Sequence, residues 1–190
     1  MKKILVTGAT GFIGRQILRA LSECEVNIIP VVRTGKEDLV YKLPKIEQVF
    51  SSPDIFKENV EWWEKHCQNI DIIIHSAWYT EPGKYLSSPL NIDCLKGSLI
   101  MAQGAINAKV NRIIGVGTCF EYDLSNGLLS TDTPLKPQTL YAAAKAGLYW
   151  NLMQWLPKQS VEFAWCRMFY LYGEGEDERR FASYLRKQLE

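Results

Sequence analysis

Short apolar runs alternate along the chain with longer amphipathic stretches. Several of the apolar runs lack the polar alternation of a half-exposed strand, which predicts strands covered on both faces. They lie at residues 4–6, 26–32, 49–50, 70–74, 113–116 and 161–166. The amphipathic stretches predict helices at 12–22, 56–67, 89–108, 140–156 and 180–189. This alternation predicts an α/β fold in which a doubly wound parallel sheet carries helices on both faces.

The composition is close to that of an average globular domain and narrows the classes of partner. The 190 residues include 22 Lys and Arg against 21 Asp and Glu, a formal net charge of +1, so no basic surface for nucleic acid is expected. No apolar run approaches the roughly 20 residues of a membrane span. The first residues also lack the apolar centre of a secretory signal. A cytoplasmic protein with neither a nucleic-acid nor a membrane partner is predicted.

The five cysteines are widely spaced, odd in number and never arranged as CxxC. They are expected to be reduced thiols, most of them buried as small apolar side chains. His66 and Cys67 are adjacent, which is poor spacing for chelation, and His75 is the only other histidine. No metal site is predicted.

Three glycines follow the first predicted strand and open the first predicted helix. Gly8 permits a tight turn, Gly11 lets the backbone approach a pyrophosphate, and Gly14 lets the helix lie close to the strand. The free N–H groups and the positive end of the helix dipole would then meet the phosphates. The GxxGxxG spacing indicates nucleotide binding, with an ordinary tight turn as the alternative. The chain has no P-loop motif, which excludes a P-loop NTPase.

The end of the second predicted strand bears on the choice of nucleotide. It is Arg33-Thr34, the place where an acid that holds the adenosine ribose would stand. Neither Asp nor Glu occurs there, and Glu37 and Asp38 come later. An arginine at this place favours a 2′-phosphate, and hence NADP over NAD, with a solvated side chain as the alternative.

Tyr141 and Lys145 lie four residues apart on a predicted helix, so their side chains share one helical face. A lysine ammonium beside a phenol favours the phenolate, and we expect it to lower the pKa of Tyr141 toward the range of a general acid or base. Thr118 follows the strand predicted at 113–116, at the carboxyl edge where open parallel sheets bind ligands. Taken alone, Thr118 would be interpreted as a turn or helix-capping residue.

Taken in order, these segments resemble the extended short-chain dehydrogenase/reductase family. The resemblance is to its NAD-dependent epimerase/dehydratase type, which includes nucleotide-sugar epimerases, dehydratases and reductases. It covers essentially all 190 residues and rests on seven segments. These are 7–14, Asp54-Ile55, 71–77, Asn91 with Gly97, Thr118 four residues before Tyr122, Tyr141 with Lys145, and 167–173.

The resemblance implies a Rossmann-like fold and a role for each matching residue. Tyr141 would exchange a proton with a sugar oxygen that Thr118 hydrogen-bonds. Lys145 would bind the nicotinamide ribose and steady the phenolate, and Asn91 would support Lys145 through water. Contacts with the cofactor are implied for Gly8, Thr10, Gly11, Phe12, Ile13, Gly14, Arg33, Asp54, Ile55, Ser76, Ala77 and Lys145.

Departures from the family pattern narrow the implied activity. The family's 4,6-dehydratases carry an Asp-Glu pair directly after the hydroxyl residue, where this chain has Cys119-Phe120, so elimination of water is not favoured. Tyr170 and Glu174 replace the family's Asn and Pro. The chain also ends where family members begin a smaller substrate domain. Residues 1–173 are therefore expected to form the NAD(P)-binding domain, and 174–190 the start of a truncated substrate-binding region.

We therefore expect an NAD(P)-dependent oxidoreductase that transfers hydride at a sugar carbon of a nucleotide sugar, as a 4-ketoreductase or an epimerase. The alternative is a non-catalytic NAD(P)-binding sensor or regulatory protein of the same fold. The retained Tyr–Lys pair and Thr118 favour the enzyme, whereas the missing substrate domain favours the passive role. The resemblance also implies a homodimer formed through a helix bundle that includes Tyr149, Trp150 and Met153.

Overall fold

The computed structural model describes residues 1–189, apart from the side chain of residue 126. Within that range six strands form one parallel sheet: β1 (Lys2–Thr7), β2 (Val26–Arg33), β3 (Phe50–Ser52), β4 (Ile72–His75), β5 (Arg112–Thr118) and β6 (Glu162–Met168). Their order across the sheet is β3-β2-β1-β4-β5-β6. The predicted doubly wound, Rossmann-like sheet is confirmed, and each strand overlaps one of the apolar runs.

The helices are α1 (Phe12–Ser22), α2 (Asp38–Tyr41), α3 (Val60–His66), α4 (Leu90–Asn107), α5 (Leu140–Trp155) and α6 (Phe181–Leu189). Every predicted helix forms, and α2 is additional. Helix α3 begins later than its apolar pattern suggests, because Asn59 caps it by accepting the N–H of Trp62 at 2.8 Å. Pro157 lies in a 3₁₀ turn, Leu156–Gln159, that follows α5 directly.

The inner strands β1 and β2 are buried on both faces, which explains why they are apolar without alternation, whereas the edge strand β6 alternates exposed and half-buried residues. Successive strand residues point to opposite faces, and in β1 Leu5 belongs to one buried cluster while Ile4 and Val6 belong to another. Helices α3, α4 and α5 contribute to the cluster around Leu5, and α1 and α2 contribute to the second. Complete burial of a Leu, Ile or Val side chain stabilises the fold by about 1.5–3 kcal/mol.

The direction of winding changes between β1 and β4. From β1 the chain moves to β2 and β3 on one side, and it then returns to β4, β5 and β6 on the other. The loops that leave the carboxyl ends of β1 and β4 therefore diverge and open a crevice between them, which is where open α/β sheets bind their ligands.

The segment after β6 returns to α1. Glu174 forms an ion pair with Arg19 at 3.2 Å, and the guanidinium of Arg15 donates to the carbonyl oxygen of Gly175 at 2.9 Å. Further along, Arg179 pairs with Glu81 at 3.0 Å. Helix α6 follows and buries none of its side chains. None of the helices among the described residues has the length and apolar character of a membrane span.

Candidate active site

A cleft of about 1020 Å³ lies at the carboxyl edge of the sheet, over the change in winding. Its walls come from the loops after β1 to β5, from α5, and from the segment after β6. All but one of the residues predicted for the site line this cleft, and the exception is Asn91. Those that do are Gly8, Thr10, Gly11, Phe12, Ile13, Gly14, Arg33, Asp54, Ile55, Ser76, Ala77, Thr118, Tyr141 and Lys145.

The glycine turn packs so closely against neighbouring backbone that side chains would not fit. Gly8 has φ +68°, and a Cβ there would lie 2.7 Å from the backbone nitrogen of Ala77. A Cβ on Gly14 would collide with the carbonyl oxygen of Gly8. Gly11 is the N-cap of α1 and supplies no side-chain cap, so the first N–H groups of this 11-residue helix face the cleft without a side-chain partner. These features fit the pyrophosphate of a dinucleotide.

The far end of the cleft is basic. Arg33, at the end of β2, and Lys36, in the following turn, both line it and are both exposed. Asp54 and Ile55, in the loop after β3, line the cleft as well, and the Asp54 carboxylate accepts the N–H of Phe56 at 3.1 Å. Lys36 was not singled out from the sequence, since a lysine in a turn is ordinarily a solvated side chain.

Thr118 ends β5 and is buried. Its hydroxyl accepts the N–H of Phe120 at 3.3 Å and its own N–H donates to Glu121 at 2.8 Å, which makes a capping box for the 3₁₀ turn that follows. Its side chain also hydrogen-bonds the phenol of Tyr141. The capping role and the role beside the tyrosine are therefore compatible.

Tyr141 and Lys145 are both buried on α5, whose N-terminus Thr139 caps by accepting the N–H of Ala142 at 3.1 Å. The Lys145 ammonium donates to the carbonyl oxygen of Val116 at 2.6 Å. Burial lowers the pKa of Lys145 to about 7, while nearby Glu121 and Cys94 act in the opposite direction.

The predicted lowering of the Tyr141 pKa is wrong for this structure. Burial raises the pKa of Tyr141 to about 12, and the hydrogen bond from Thr118 offsets only part of that increase. The physical reason is that the phenol is buried, whereas the Lys145 ammonium contacts the Val116 carbonyl and the ring of Trp78. The phenol is consequently protonated at neutral pH.

Asn91 is fully buried on α4, outside the cleft. Its amide nitrogen donates to the carbonyl oxygens of Tyr85 at 2.6 Å and Ser88 at 2.9 Å, which uses both of its hydrogens. Its oxygen accepts the indole N–H of Trp78 at 2.8 Å. Support of Lys145 by Asn91 through water stays a prediction, and the direct contacts of Asn91 lead to Trp78 instead.

A buried hydrogen-bond chain holds the loop after β4. The Ser98 hydroxyl donates to the carbonyl oxygen of Cys94 at 2.6 Å, so it must accept from Nε2 of His75, 2.8 Å away. Nδ1 of His75 then accepts from the hydroxyl of Thr7 at 2.8 Å. Burial, and secondarily the charge of Lys145, lower the pKa of His75 to about 3. This neutral histidine ties β4 to β1 and α4 beneath the cleft.

A second buried group lies behind Thr118. The carboxylate of Glu121 is fully buried and accepts from Nε of Arg167 at 2.7 Å and from the indole of Trp165 at 3.0 Å. The Arg167 guanidinium also lies 4.3 Å from the ring centroid of Tyr149. Because Glu121 also accepts the N–H of Thr118, this ion pair fixes the end of β5 where the cleft begins.

The sheet order and the position of the cleft define a Rossmann-like protein of the doubly wound class. The sequence model of the NAD dependent epimerase/dehydratase family matches residues 4–190. The chain belongs to that family.

Individual relatives are distant. The chain is 23% identical over 172 residues to a dTDP-6-deoxy-L-talose 4-dehydrogenase (NAD(+)) of Aggregatibacter actinomycetemcomitans, covering 90% of this chain and 62% of that protein. It is 32% identical over 131 residues to a UDP-glucose 4-epimerase of Neisseria meningitidis serogroup C, covering 60% of this chain and 36% of that protein.

Solved structures share the fold. One is the UDP-glucuronic acid 4-epimerase of Bacillus cereus in complex with UDP-glucuronic acid and NAD, with a TM-score of 0.75 at 22% identity, covering 98% of this chain and 62% of that one. Another is the UDP-N-acetylglucosamine 4-epimerase of Methanobrevibacter ruminantium, with a TM-score of 0.76 at 24% identity, covering 94% and 58%. The chain spans about 60% of the length of these two structures.

Proposed function

We propose that the chain forms the dinucleotide-binding and proton-transfer part of a nucleotide-sugar oxidoreductase that acts at a sugar carbon, as a 4-ketoreductase or an epimerase. One observation carries this proposal. Thr118, Tyr141 and Lys145 line the same cleft as the glycine turn at the N-terminus of α1. The residues that bind and the residues that move protons therefore share one ligand-sized space.

In this proposal each group has a separate task. The N–H groups at the start of α1 hold the pyrophosphate, helped by the helix dipole. The Lys145 ammonium holds the ribose next to the reactive ring. Tyr141 transfers its proton to the sugar oxygen, which the Thr118 hydroxyl orients by a hydrogen bond. The nicotinamide, when bound, supplies or accepts the hydride.

We favour the reductive direction. Burial raises the pKa of Tyr141 to about 12, so the phenol, like an ordinary tyrosine, carries its proton at neutral pH. A ketone that accepts hydride develops negative charge on its oxygen, and a protonated phenol next to that oxygen is the acid that this step requires. The resemblance to a 4-dehydrogenase of a deoxy sugar nucleotide supports chemistry at the same sugar carbon.

We propose NADP as the preferred dinucleotide. Arg33 and Lys36 both line the end of the cleft beside Asp54 and Ile55, and β2 ends in Arg33 rather than in an acid. Two cations at this place suit the additional charge of a 2′-phosphate.

Two assembly features belong to the same proposal. Residues 174–189 form the start of a substrate-binding region, supported by Glu176, Arg180 and Phe181, which line the cleft. Helix α5 takes part in a homodimer, supported by Trp150 and Met153, whose side chains stay 47% and 36% exposed on its surface.

The test is a binding titration followed by an assay of turnover. NADH and NADPH are titrated by fluorescence, and a panel of nucleotide-linked 4-keto and 4-hydroxy sugars is then added while the absorbance of the reduced dinucleotide is followed. We expect turnover that Tyr141→Phe lowers by at least about a hundredfold with little change in dinucleotide affinity. Tyr41→Phe, at an exposed residue of α2 that does not line the cleft, is the matched control.

Two results would contradict the proposal. Without dinucleotide binding, the assignment of the cleft fails. Tight binding with no turnover on any sugar, unchanged by Tyr141→Phe, supports the non-catalytic sensor instead.

A further inference from the structure

The indole of Trp78 contacts side chains of both α4 and α5 in the wall of the cleft. Trp78 lies in the loop after β4, next to Ala77, and lines the cleft. Its N–H donates to the side-chain oxygen of Asn91 on α4 at 2.8 Å. Asn91 is itself held by the backbone carbonyls of Tyr85 and Ser88, so the plane of the indole is fixed from one side.

The face of the same ring meets the lysine of α5. The Lys145 ammonium lies 3.9 Å from the indole centroid and donates to the carbonyl oxygen of Val116 at 2.6 Å. The ring of Tyr141 also contacts the indole, at a centroid distance of 6.5 Å and an interplanar angle of 76°. Trp78 therefore touches both members of the Tyr–Lys pair.

We propose that Trp78 is a positioning residue: anchored by Asn91, its indole face holds the Lys145 ammonium at the base of the cleft. The expected effect of Trp78 on dinucleotide binding rests on the proposed function. Its effect on the position of Lys145 is independent of that function. A lysine side chain has a flexible four-carbon stem and three donors, and only one carbonyl acceptor for them is described. The π face of Trp78 stabilises the positive charge of the Lys145 ammonium and restricts the movement of the lysine side chain.

Other titratable groups face Lys145 from the neighbouring elements. Burial lowers the pKa of Lys145 to about 7, while Glu121, after β5, and Cys94, on α4, act in the opposite direction. His75, on β4, is neutral because burial depresses its own pKa. None of these groups lies on the loop that carries Trp78, so a change confined to the ring isolates its contribution.

The decisive comparison uses Trp78→Phe and Trp78→Leu. Both variants remove the indole N–H and leave Asn91 without that partner, and only the phenylalanine keeps a π face. The pKa of Lys145 is measured by NMR of its ζ-nitrogen, assigned with Lys145→Met. We expect a pKa about one unit lower in Trp78→Leu than in Trp78→Phe, because the ammonium loses the aromatic face. Equal values in the two variants would overturn the proposal.

The link to Asn91 is tested in the wild-type background first. The indole N–H resonance of Trp78, assigned with Trp78→Phe, should shift on Asn91→Ala, and the NADPH dissociation constant should rise about tenfold. In the Trp78→Phe background, Asn91→Ala should change that constant much less, since the connection is already cut. Equal effects in both backgrounds would show that Asn91 does not act through the indole.

These measurements separate the two proposals. If the wild-type protein binds no dinucleotide, the proposed function fails, while the titration of Lys145 still decides the role of Trp78. A thermal unfolding curve for each variant establishes that the comparison is made between folded proteins.

Discussion

At the scale of single residues, the candidate site depends on polar groups that are buried together with their partners. Glu121 is the clearest case, because its fully buried carboxylate accepts from Arg167, Trp165 and the N–H of Thr118. A buried carboxylate without partners is costly, and removal of one partner from a buried pair is typically strongly destabilising. The position of the Thr118 hydroxyl therefore depends on a charge pair of which neither member lines the cleft.

The choice of dinucleotide is also decided by single side chains. Arg33→Ala should weaken NADPH binding by about tenfold to a hundredfold, the value of a charge-assisted hydrogen bond, and change NADH binding little. The dissociation constants are measured by fluorescence titration. Arg112→Ala is the control, because Arg112 is an exposed arginine at the opposite end of β5. A parallel loss for both dinucleotides would show that Arg33 does not contact a 2′-phosphate.

His75 predicts a specific dependence of stability on pH. Its pKa is about 3 in the folded protein against an ordinary 6.5. As pH falls through that interval, the unfolded chain takes up a proton that the folded protein does not, so the free energy of unfolding decreases by up to about 1.4 kcal/mol per pH unit. The free energy of unfolding, measured with denaturant between about pH 6.5 and pH 3, should decrease less steeply with falling pH in His75→Gln than in the wild type. His66→Gln is the control, and an identical slope in wild type and His75→Gln would refute the prediction.

The buried hydrogen-bonded pairs around the site, which the sequence did not predict, join residues that are far apart along the chain. Thr7 and His75 are 68 positions apart, and Glu121 and Arg167 are 46 apart. No local pattern records such contacts. Tyr141 and Lys145 were found because helical spacing brings them together within one turn, but the sequence could not show that burial would dominate the tyrosine pKa.

At the scale of elements, the inner strands were predictable because burial on both faces leaves an apolar signature. Helix α1 was predicted at its observed bounds for a related reason: its apolar stripe is continuous and the turn before it contains glycine. Helix α2 has four residues, too few for a periodic pattern. The true start of α3 depends on the side chain of Asn59, which interrupts an apolar pattern that begins earlier.

The glycine turn gives a prediction at this scale. Gly14→Ala should lower the free energy of unfolding by about 1–3 kcal/mol, since the new methyl group meets the Gly8 carbonyl. It should also abolish dinucleotide binding, because the backbone of the turn must move. Both are measured, by denaturant unfolding and by fluorescence titration.

Gly147→Ala, on α5, is the matched control. Its new Cβ would lie 3.8 Å from the nearest heavy atom, on Leu95, so the change should be neutral or stabilising by about 0.5–1 kcal/mol. If Gly14→Ala behaved like Gly147→Ala, the close approach of helix and strand would not be a requirement of the site.

At the scale of the whole molecule, the chain presents apolar side chains on two separate surfaces. One lies on α5 and includes Trp150 and Met153. The other is formed by the segment after β6 and by α6, where Tyr172 and Phe181 are 79% and 80% exposed. Patches of this kind commonly mark contact surfaces, and the first of them is the one proposed for the dimer.

The proposed dimer can be tested by Trp150→Lys. A charge at this place on α5 should raise the dimer dissociation constant by at least about tenfold, because large aromatic side chains dominate the energetics of interfaces. Light scattering coupled to size-exclusion chromatography measures the mass. Leu128→Lys, at a residue that is 89% exposed in a loop, is the control. A wild-type protein of monomeric mass would contradict the proposed dimer.

Helix α1 links the proposed binding sites of the dinucleotide and of the sugar nucleotide. Its N-terminus forms part of the glycine turn, while Arg15 and Arg19, on its outer surface, hold Gly175 and Glu174 of the proposed substrate-binding region. The same helix thus contacts the proposed sites of both the dinucleotide and the sugar nucleotide. Thermodynamic linkage is reciprocal. If bound dinucleotide raises the affinity for the sugar nucleotide by some factor, bound sugar nucleotide must raise the affinity for the dinucleotide by the same factor.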